Sequence, residues 1–390
     1  MSVAPALGVA VSRRFDGPRI VARAGEWVVE LALLAELGVL ASDPAWRQPS
    51  LNAFLAQGAT VWRSTGARLA ELIDDLHSPT AGSRDRLEPA LHHRDDVTML
   101  LPVAVGDFVD FYASEQHATN LGRILRPGQD PLPPAWRHLP IGYHGRSGTI
   151  VVSGTPVRRP CGQRRDPSGR PEFGPSRRLD VEVEVGFVVG AGSVQGVPVP
   201  VEDFDQHVFG VCLVNDWSAR DIQAWETQPL GPFLGKSFAT SISPWVVPLS
   251  ALPAARRPAR SAAAGVMPYL RETQPWGLAL DLELEVNGEV RARPPYSSMF
   301  WSPAQMLAHL TVNGASVRTG DLYASGTVSG DRPDQLGSLI ELTGNSAFLA
   351  DGDEVVIRGT APGPDGDVID LGEVRGEIRP ALSPGAGRRG

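Results

Sequence analysis

The stretch Leu179 to Gly190 (LDVEVEVGFVVG) constrains this chain more than any other. Val alternates with Glu at the period of a strand, so Glu182 and Glu184 leave the same face of a sheet. Their alpha carbons then stand about 7 Å apart. Two carboxylates placed so can be the solvated face of a half-buried sheet, or can hold a hard divalent cation with other oxygens. The chain carries its own control. Leu280 to Val286 (LDLELEV) has the same alternation and runs into Asn287-Gly288, a hairpin signal. The alternation alone leaves both readings open for both strands.

Length and composition bound the rest. A chain of 390 residues with 42 Gly and 35 Pro favours one large or two unequal domains, with many turns and short strands. A net charge of -8 without a long basic run argues against nucleic acid as a partner. Two cysteines, Cys161 and Cys212, are too few for a disulfide scaffold or a cysteine zinc site, and Cys212 reads as a small buried hydrophobe. The start lacks a signal-peptide pattern, and Val28 to Ala41 is too short and too charged to span a bilayer. The expectation is a soluble cytoplasmic protein with no membrane partner. Of 36 basic residues only Lys236 is Lys, so a compact ammonium is expected to matter there.

Residues 1–100 read as a small N-terminal module. Strands are expected at Leu7 to Val11, Ile20 to Ala22 and Trp27 to Leu31, followed by a helix capped by Ser50 and running through Trp62, and a second helical pattern over Leu69 to Leu76. His77 to Asp96 reads as a connector, with His92-His93 solvated. From Met99 onward the texture is of strands and Gly/Pro loops, with strands at 149–152, 181–189, 208–214, 245–247, 278–286 and 355–357 and a helix at 302–310. Pro131 to Gly148 is too irregular for a regular element. Ala251 to Ala264 reads as a surface loop, and the tail 383–390 as disordered.

Two further acids stand at telling places. Val208 to Val214 is a continuous apolar run, so a strand buried on both faces, and it ends at Asn215-Asp216. A buried acid there needs a partner. The competing reading makes Asp216 a helix N-cap, with 216, 220 and 223 sharing a helical face. Asp110 lies among Phe108, Val109, Phe111 and Tyr112. Asp110, Glu182, Glu184 and Asp216 form an all-oxygen set suited to Mg²⁺ or Ca²⁺. His117 is a candidate general base, and a stiff Pro/Gly loop from Pro229 delivers Lys236.

These segments together resemble the fumarylacetoacetate hydrolase family. The likeness runs through Asp110 to Gly122 (DFYASEQHATNLG), His138 to Arg159, Leu179 to Gly190, Asn215 to Gln223 (NDWSARDIQ), Pro229 to Thr240 (PLGPFLGKSFAT), Ala324 to Gly330 (ASGTVSG) and Asp351 to Val355 (DGDEV). It covers most of the chain, more weakly over the N-terminal module. The resemblance implies a mainly β (α+β) fold, with a small SH3-like barrel over 1–100 and a catalytic domain with a mixed β-sandwich roll over 101–382. It implies Asp110, Glu182, Glu184 and Asp216 as ligands of Mg²⁺ or Ca²⁺, with Lys236 and Thr240 counted in the metal site. His117 becomes the water-activating base and Glu341 its orienter, with Arg220, Gln223 and Lys236 catalytic. Tyr112, Arg126, Tyr143, Gln223 and Thr327 would hold substrate. At 227 the family usually has a substrate-contacting Tyr, and this chain has Thr227.

The activity implied is hydrolysis of the carbon–carbon bond of 4-fumarylacetoacetate to fumarate and acetoacetate, the last step of tyrosine and phenylalanine catabolism, by a homodimer. The rivals are an acylpyruvate hydrolase or decarboxylase on the same scaffold, which Thr227 keeps open, and a catalytically silent metal-binding protein. The last fits a chain without His117 or Lys236 better than one with both.

Overall fold

Val183–Val189, the heart of the alternating stretch, is a central strand of an eight-stranded sheet in a computed structural model that describes residues 3–77, 83–259 and 265–382. Across the sheet run Gly142–His144, Phe108–Phe111, Leu322–Ala324, Val183–Val189, Val208–Asp216, Thr240–Ile242 and Ile150–Val152, and Val247–Pro248 pairs with Val208–Asp216. Val183–Val189 is antiparallel to both its neighbours, and Leu322–Ala324 runs parallel to Phe108–Phe111. Every residue of Val183–Val189 and Val208–Asp216 is buried, the apolar positions as a strand covered on both faces demands and Glu184, Asn215 and Asp216 along with them.

Side-chain alternation places the acids. Val183, Val185, Phe187 and Val189 face one core cluster, with Val211, Leu213, Val109 and Phe111. Val188, Cys212, Val214, Phe108 and Leu322 face the other, which also holds Phe54 and Trp62 of the N-terminal segment. Asp110, Glu184 and Asp216 share the parity of this second set. They leave one face of the sheet, Glu184 and Asp216 on adjacent strands and Asp110 one strand further on, across Leu322–Ala324.

A second sheet of five strands orders Glu289–Ala292, Asp281–Val286, Glu354–Pro362, Val368–Arg379 and Val157–Arg158. It contains the look-alike strand. There Leu282 and Leu284 are buried, while Glu283 and Glu285 are half-buried and pair with Arg293 and Arg358. Asn287 and Gly288 take positive φ (55° and 80°) in the turn to Glu289–Ala292, as the hairpin signal predicts.

The N-terminal sheet has the order Leu91–His93, Trp27–Glu30, Arg19–Ala24, Leu7–Val11, Thr98–Met99. Its helical segment packs on the large sheet through Phe54 and Trp62, each edge-on to Phe209 at 5.9 and 5.6 Å. The whole is β-rich with few helices, as expected. Among the described residues no helix is long and apolar enough to cross a membrane.

Several local expectations are corrected. The helix through Trp62 is two, Asn52–Leu55 and Ala59–His77, because Gly58 at φ +85° breaks it, and Leu51 rather than Ser50 precedes the first. His92 is not solvated: strand pairing buries it 3.3 Å from Glu30, which also pairs with buried Arg19. Ala251 to Ala255 is not a surface loop, since Leu252 and Ala255 are core; the rest of that run is partly, and the 383–390 tail wholly, outside the described residues. Pro131 to Gly148 holds the short strand Gly142–His144 and fully buried Trp136. The helix expected at 302–310 is Pro303–Thr311, closed by a capping box between Ser302 and Gln305.

Candidate active site

Three carboxylates converge where the central strands end. Asp110, Glu182 and Asp216 each bring an oxygen within 4.8 Å of the others, and all three are buried. Asp216 ends its strand and the next helix begins at Arg220 with Ala219 as its cap, so the N-cap reading and the shared face of 216, 220 and 223 do not hold. Glu182 lies just before the Val183–Val189 strand, in a break after Leu179–Asp180. The alternation therefore belongs to two strand segments rather than one.

Glu184 stands beside the triad. Both of its oxygens are buried, and neither has a hydrogen-bond partner among the described residues. Burial, then the charges of Asp110 and Glu182, push its pKa far above the usual carboxylate range. Asp110 is pushed up to about 8 by burial first, then by Asp216, with Lys236 opposing. A buried acceptor such as Glu184, without a donor and beside other acids, is costly unless a cation lies near it. The donor set is all oxygen, which fits a hard divalent cation. The residues present fit such a cation: Asp110, Glu182 and Asp216 could hold it, with Glu184 beside them.

One turn fixes Asp110. Gly326 has φ +74°, and a Cβ there would sit 2.0 Å from the Phe111 carbonyl oxygen. Glycine lets the chain pass close enough for its N–H to donate to Asp110 Oδ1 at 3.1 Å.

Cations and donors ring the acids. Lys236 Nζ donates to Glu182 and, at 2.9 Å, to Asp216, and lies 4.0 Å from Asp110 and 5.7 Å from the Tyr143 ring centre. Burial works against its charge, but Asp216, Glu182 and Asp110 outweigh it and raise its pKa, so it stays an ammonium. An ammonium has no lone pair to give a metal, and its part in the cluster is charge. Thr240 Oγ1 donates to Asp216 Oδ1 at 2.6 Å, and the Tyr143 hydroxyl donates to Asp216 Oδ2. Arg220 donates through Nε to Asp180 at 2.8 Å and places Nη2 2.9 Å from Glu182 Oε1. Burial raises the Glu182 carboxyl, but Arg220 and Lys236 prevail and hold it well below the usual range.

The histidine sits beside this cluster on the helix Glu115–Leu125, whose N-cap Ser114 accepts from the His117 N–H. His117 Nδ1 is 2.7 Å from Glu341 Oε2, with both side chains buried. Glu341 also accepts from Asn120 at 3.0 Å, Ser329 at 3.0 Å and Ser338 at 2.7 Å. Burial pushes the Glu341 carboxyl up, yet His117 and these donors hold it below its ordinary value. An ionised Glu341 accepts from Nδ1–H and so holds the imidazole in place.

The remaining expected residues differ in engagement. Tyr112 stands edge-on to His117 at 5.5 Å. Gln223 has a buried Oε1 without a partner among the described residues. Arg126 is exposed and bonds the Pro131 carbonyl at 2.8 Å, with its charge reaching Tyr112. Thr327 is buried on the Gly326 turn with its methyl toward Gly337, and no hydrogen bond joins it to the others among the described residues. Thr227 ends the Arg220–Glu226 helix, its hydroxyl donating to the Gln223 carbonyl at 2.6 Å. A cleft of about 710 Å³ lined by Arg123, Ile124, Arg137 and Leu336 reaches Asn120 and Glu341 from outside.

Five residues here escaped the sequence reading. Asn120, Ser329 and Ser338 hold Glu341, Ser218 donates to Glu182 at 3.0 Å, and Asp180 pairs with Arg220. Only Asp180 carried a signal, being the first acid of the same alternation.

A buried set of carboxylates, flanked by an ammonium, a guanidinium and a carboxylate-oriented imidazole, is an arrangement suited to metal-assisted hydrolytic chemistry. Two family descriptions cover nearly all of the chain: "Fumarylacetoacetase N-terminal" over residues 7–102 and "Fumarylacetoacetate (FAA) hydrolase C-terminal" over 108–379. The chain belongs to the fumarylacetoacetate hydrolase family. It is 41% identical to the fumarylacetoacetase of Rattus norvegicus over 400 residues, covering 97% of this chain and 95% of that one. It is 40% identical to that of Oryza sativa subsp. japonica, covering 94% and 91%. The fold also matches the fumarylacetoacetate hydrolase of Exiguobacterium antarcticum (TM-score 0.59, 16% identity, 97% and 100% covered). A maleylpyruvate hydrolase from Sphingobium shares it too (TM-score 0.54, 16% identity, 96% and 100% covered).

Proposed function

We propose that this enzyme hydrolyses 4-fumarylacetoacetate to fumarate and acetoacetate, with His117 as base. The observation that carries the reading is the buried pair of His117 Nδ1 and Glu341 Oε2, 2.7 Å apart, beside the carboxylate cluster. Full-length likeness to fumarylacetoacetases at about 40% identity supports the substrate.

The residues divide the work. His117 Nε2 takes a proton from water, and the resulting hydroxide adds to the fumaryl carbonyl, which becomes the new carboxylate of fumarate. Arg220, Lys236 and Gln223 stabilise the oxyanion of the tetrahedral adduct. On collapse the carbon–carbon bond breaks, its electron pair passes into the enolate of acetoacetate, and that carbon takes a proton. Tyr112, Arg126, Tyr143 and Thr327 hold the substrate carboxylates and oxygens. A divalent cation held by Asp110, Glu182, Glu184 and Asp216 supplies Lewis-acid polarisation of the substrate oxygens.

The same reading takes the cation as Mg²⁺ or Ca²⁺, because the donors are oxygens. It takes residues 1–100 as an SH3-like barrel, 101–382 as a catalytic domain with a mixed β-sandwich roll, and the active species as a cytoplasmic homodimer, all on family resemblance. The test is His117→Ala assayed on fumarylacetoacetate by its ultraviolet absorbance. It should stay folded and bind metal but turn over roughly two to four orders of magnitude more slowly, the span for losing a general base. Near-normal turnover, or a faster wild-type reaction with acylpyruvates, would sink the reading.

A further inference from the structure

Asp180 is fully buried and takes no part in the chemistry described above. It is nonetheless where the two halves of the site meet. Its Oδ1 accepts from the Leu339 N–H at 2.8 Å and from its neighbour Val181 N–H at 2.9 Å. Its Oδ2 accepts from the Ile340 N–H at 3.1 Å and from Arg220 Nε at 2.8 Å. Leu339 and Ile340 open the short helix Leu339–Leu342, which carries Glu341. Arg220 is the side chain that reaches Glu182. One carboxylate therefore grips both the helix that carries Glu341 and the guanidinium that reaches Glu182.

The surroundings make this grip rigid. Asp180 pairs with Ser218 in a two-residue ladder, and Glu182 bridges to Ser338. A carboxylate suits the place because it is acceptor only, with about four lone-pair positions for four converging donors. We propose that Asp180 is a positioning residue that sets the Glu341 helix and the Arg220 guanidinium in register, so that base and oxyanion holder act on one carbonyl. The inference rests on the roles given to His117, Glu341 and Arg220 under the proposed function.

Asp180→Asn is the incisive change. Its shape is unchanged, but the amide NH₂ must face one pair of donors: either Leu339 and Val181, or Ile340 and Arg220. Whichever way it turns, one grip is lost. The experiment compares wild type, Asp180→Asn, Glu341→Gln, Arg220→Met and the doubles Asp180→Asn/Glu341→Gln and Asp180→Asn/Arg220→Met. Turnover of fumarylacetoacetate with Mg²⁺ is measured per folded molecule, with folding followed by circular dichroism in urea.

Asp180→Asn should lose about 10–100-fold in kcat, the range for removing an outer partner that orients an active group. In both doubles the combined loss should be smaller than the product of the single losses, because the residues act through one another. A buried carboxylate that only holds the fold together would leave kcat per folded molecule unchanged, or multiply cleanly with both partners; either result overturns the inference. Should Asp180→Asn alone fail to fold, the double with Arg220→Met removes both members of the buried pair and leaves no stranded guanidinium. A lower kcat there than in Arg220→Met supports the helix grip, and an equal kcat overturns it. Unimpaired Glu341→Gln and Arg220→Met would overturn the underlying reading and the inference with it. Impaired singles that multiply in the doubles would overturn the inference alone.

Discussion

Replacing Lys236 with Met takes the one ammonium out of the carboxylate cluster. Its Nζ is 2.9 Å from Asp216, 4.0 Å from Asp110 and hydrogen-bonded to Glu182, with only 5% of the side chain exposed. At about 4 Å and an effective dielectric of 20, one such pair is attracted by roughly 4 kcal/mol. The buried ammonium has also lost its water, so the attraction is not all net gain. What decides the outcome is the set of carboxylates left behind, and stranding a buried charge costs about 3–5 kcal/mol. Lys236→Met should therefore lose about 3–5 kcal/mol of unfolding free energy in chelator, read from urea melts. Added Mg²⁺ should return more stability to the variant than to the wild type, since a cation binding only the folded state stabilises it by mass action. Lys236→Arg keeps the charge and should lose less stability, yet its longer, flat fork misplaces the donors, so both variants should lose most of kcat. Stability should follow charge while turnover follows shape. Wild-type turnover in Lys236→Arg, or wild-type stability of Lys236→Met in chelator, would refute this.

Glu182→Gln and Glu184→Gln should each weaken divalent-cation binding measured by calorimetry, whereas Glu283→Gln, paired with Arg293 at 2.9 Å, should not; equal effects on both strands would remove the metal assignment. Glu341 is held below its ordinary value of 4.5, with burial opposing and His117 and its donors prevailing, so the stability it contributes is complete above about pH 4.5 and is lost as pH falls through its folded value. Acid unfolding of Glu341→Gln should lack that component, and an unchanged acid limb in urea melts would contradict the pairing with His117. Thr227→Tyr restores a phenol at the end of the Gln223 helix and should lower KM for fumarylacetoacetate with kcat little changed. A fall in kcat with KM unmoved would place residue 227 outside substrate binding.

Val183–Val189 and Asp281–Val286 show what a sequence holds and what it lacks. Their alternation is the same, yet Glu184 is fully buried on a strand flanked by Val208–Asp216 and Leu322–Ala324, while Glu283 and Glu285 meet arginines at a half-open surface. Periodicity reports which way a side chain points, and it does not report what covers it. Asp216 was legible as an acid at the end of a buried run, but not as a strand residue rather than a cap, because Trp217 to Arg220 can be read either way. The pairing of His117 with Glu341 was readable only through family likeness, since 224 positions separate them. Ser329 and Ser338 were invisible, because a serine among glycines looks like an ordinary turn. Gly58 was visible, but a break of three residues, 56–58, between two good helical patterns is easily passed over.

The parallel pairing of Leu322–Ala324 with Phe108–Phe111 also governs when the enzyme comes into being. Asp110 receives its N–H from Gly326, 216 residues later, and the base waits for Glu341. During synthesis the strands from 108 to 242 can meet before either arrives, but they must do so around mutually repelling acids and a gap in the sheet. Contacts so distant in sequence close slowly and leave strand edges open while they wait. A nascent chain stopped short of Leu322 would expose the edges of Val183–Val189 and Phe108–Phe111 to any other strand. The architecture that gathers the site from opposite ends of the chain thus makes the unfinished polypeptide a natural client for a chaperone.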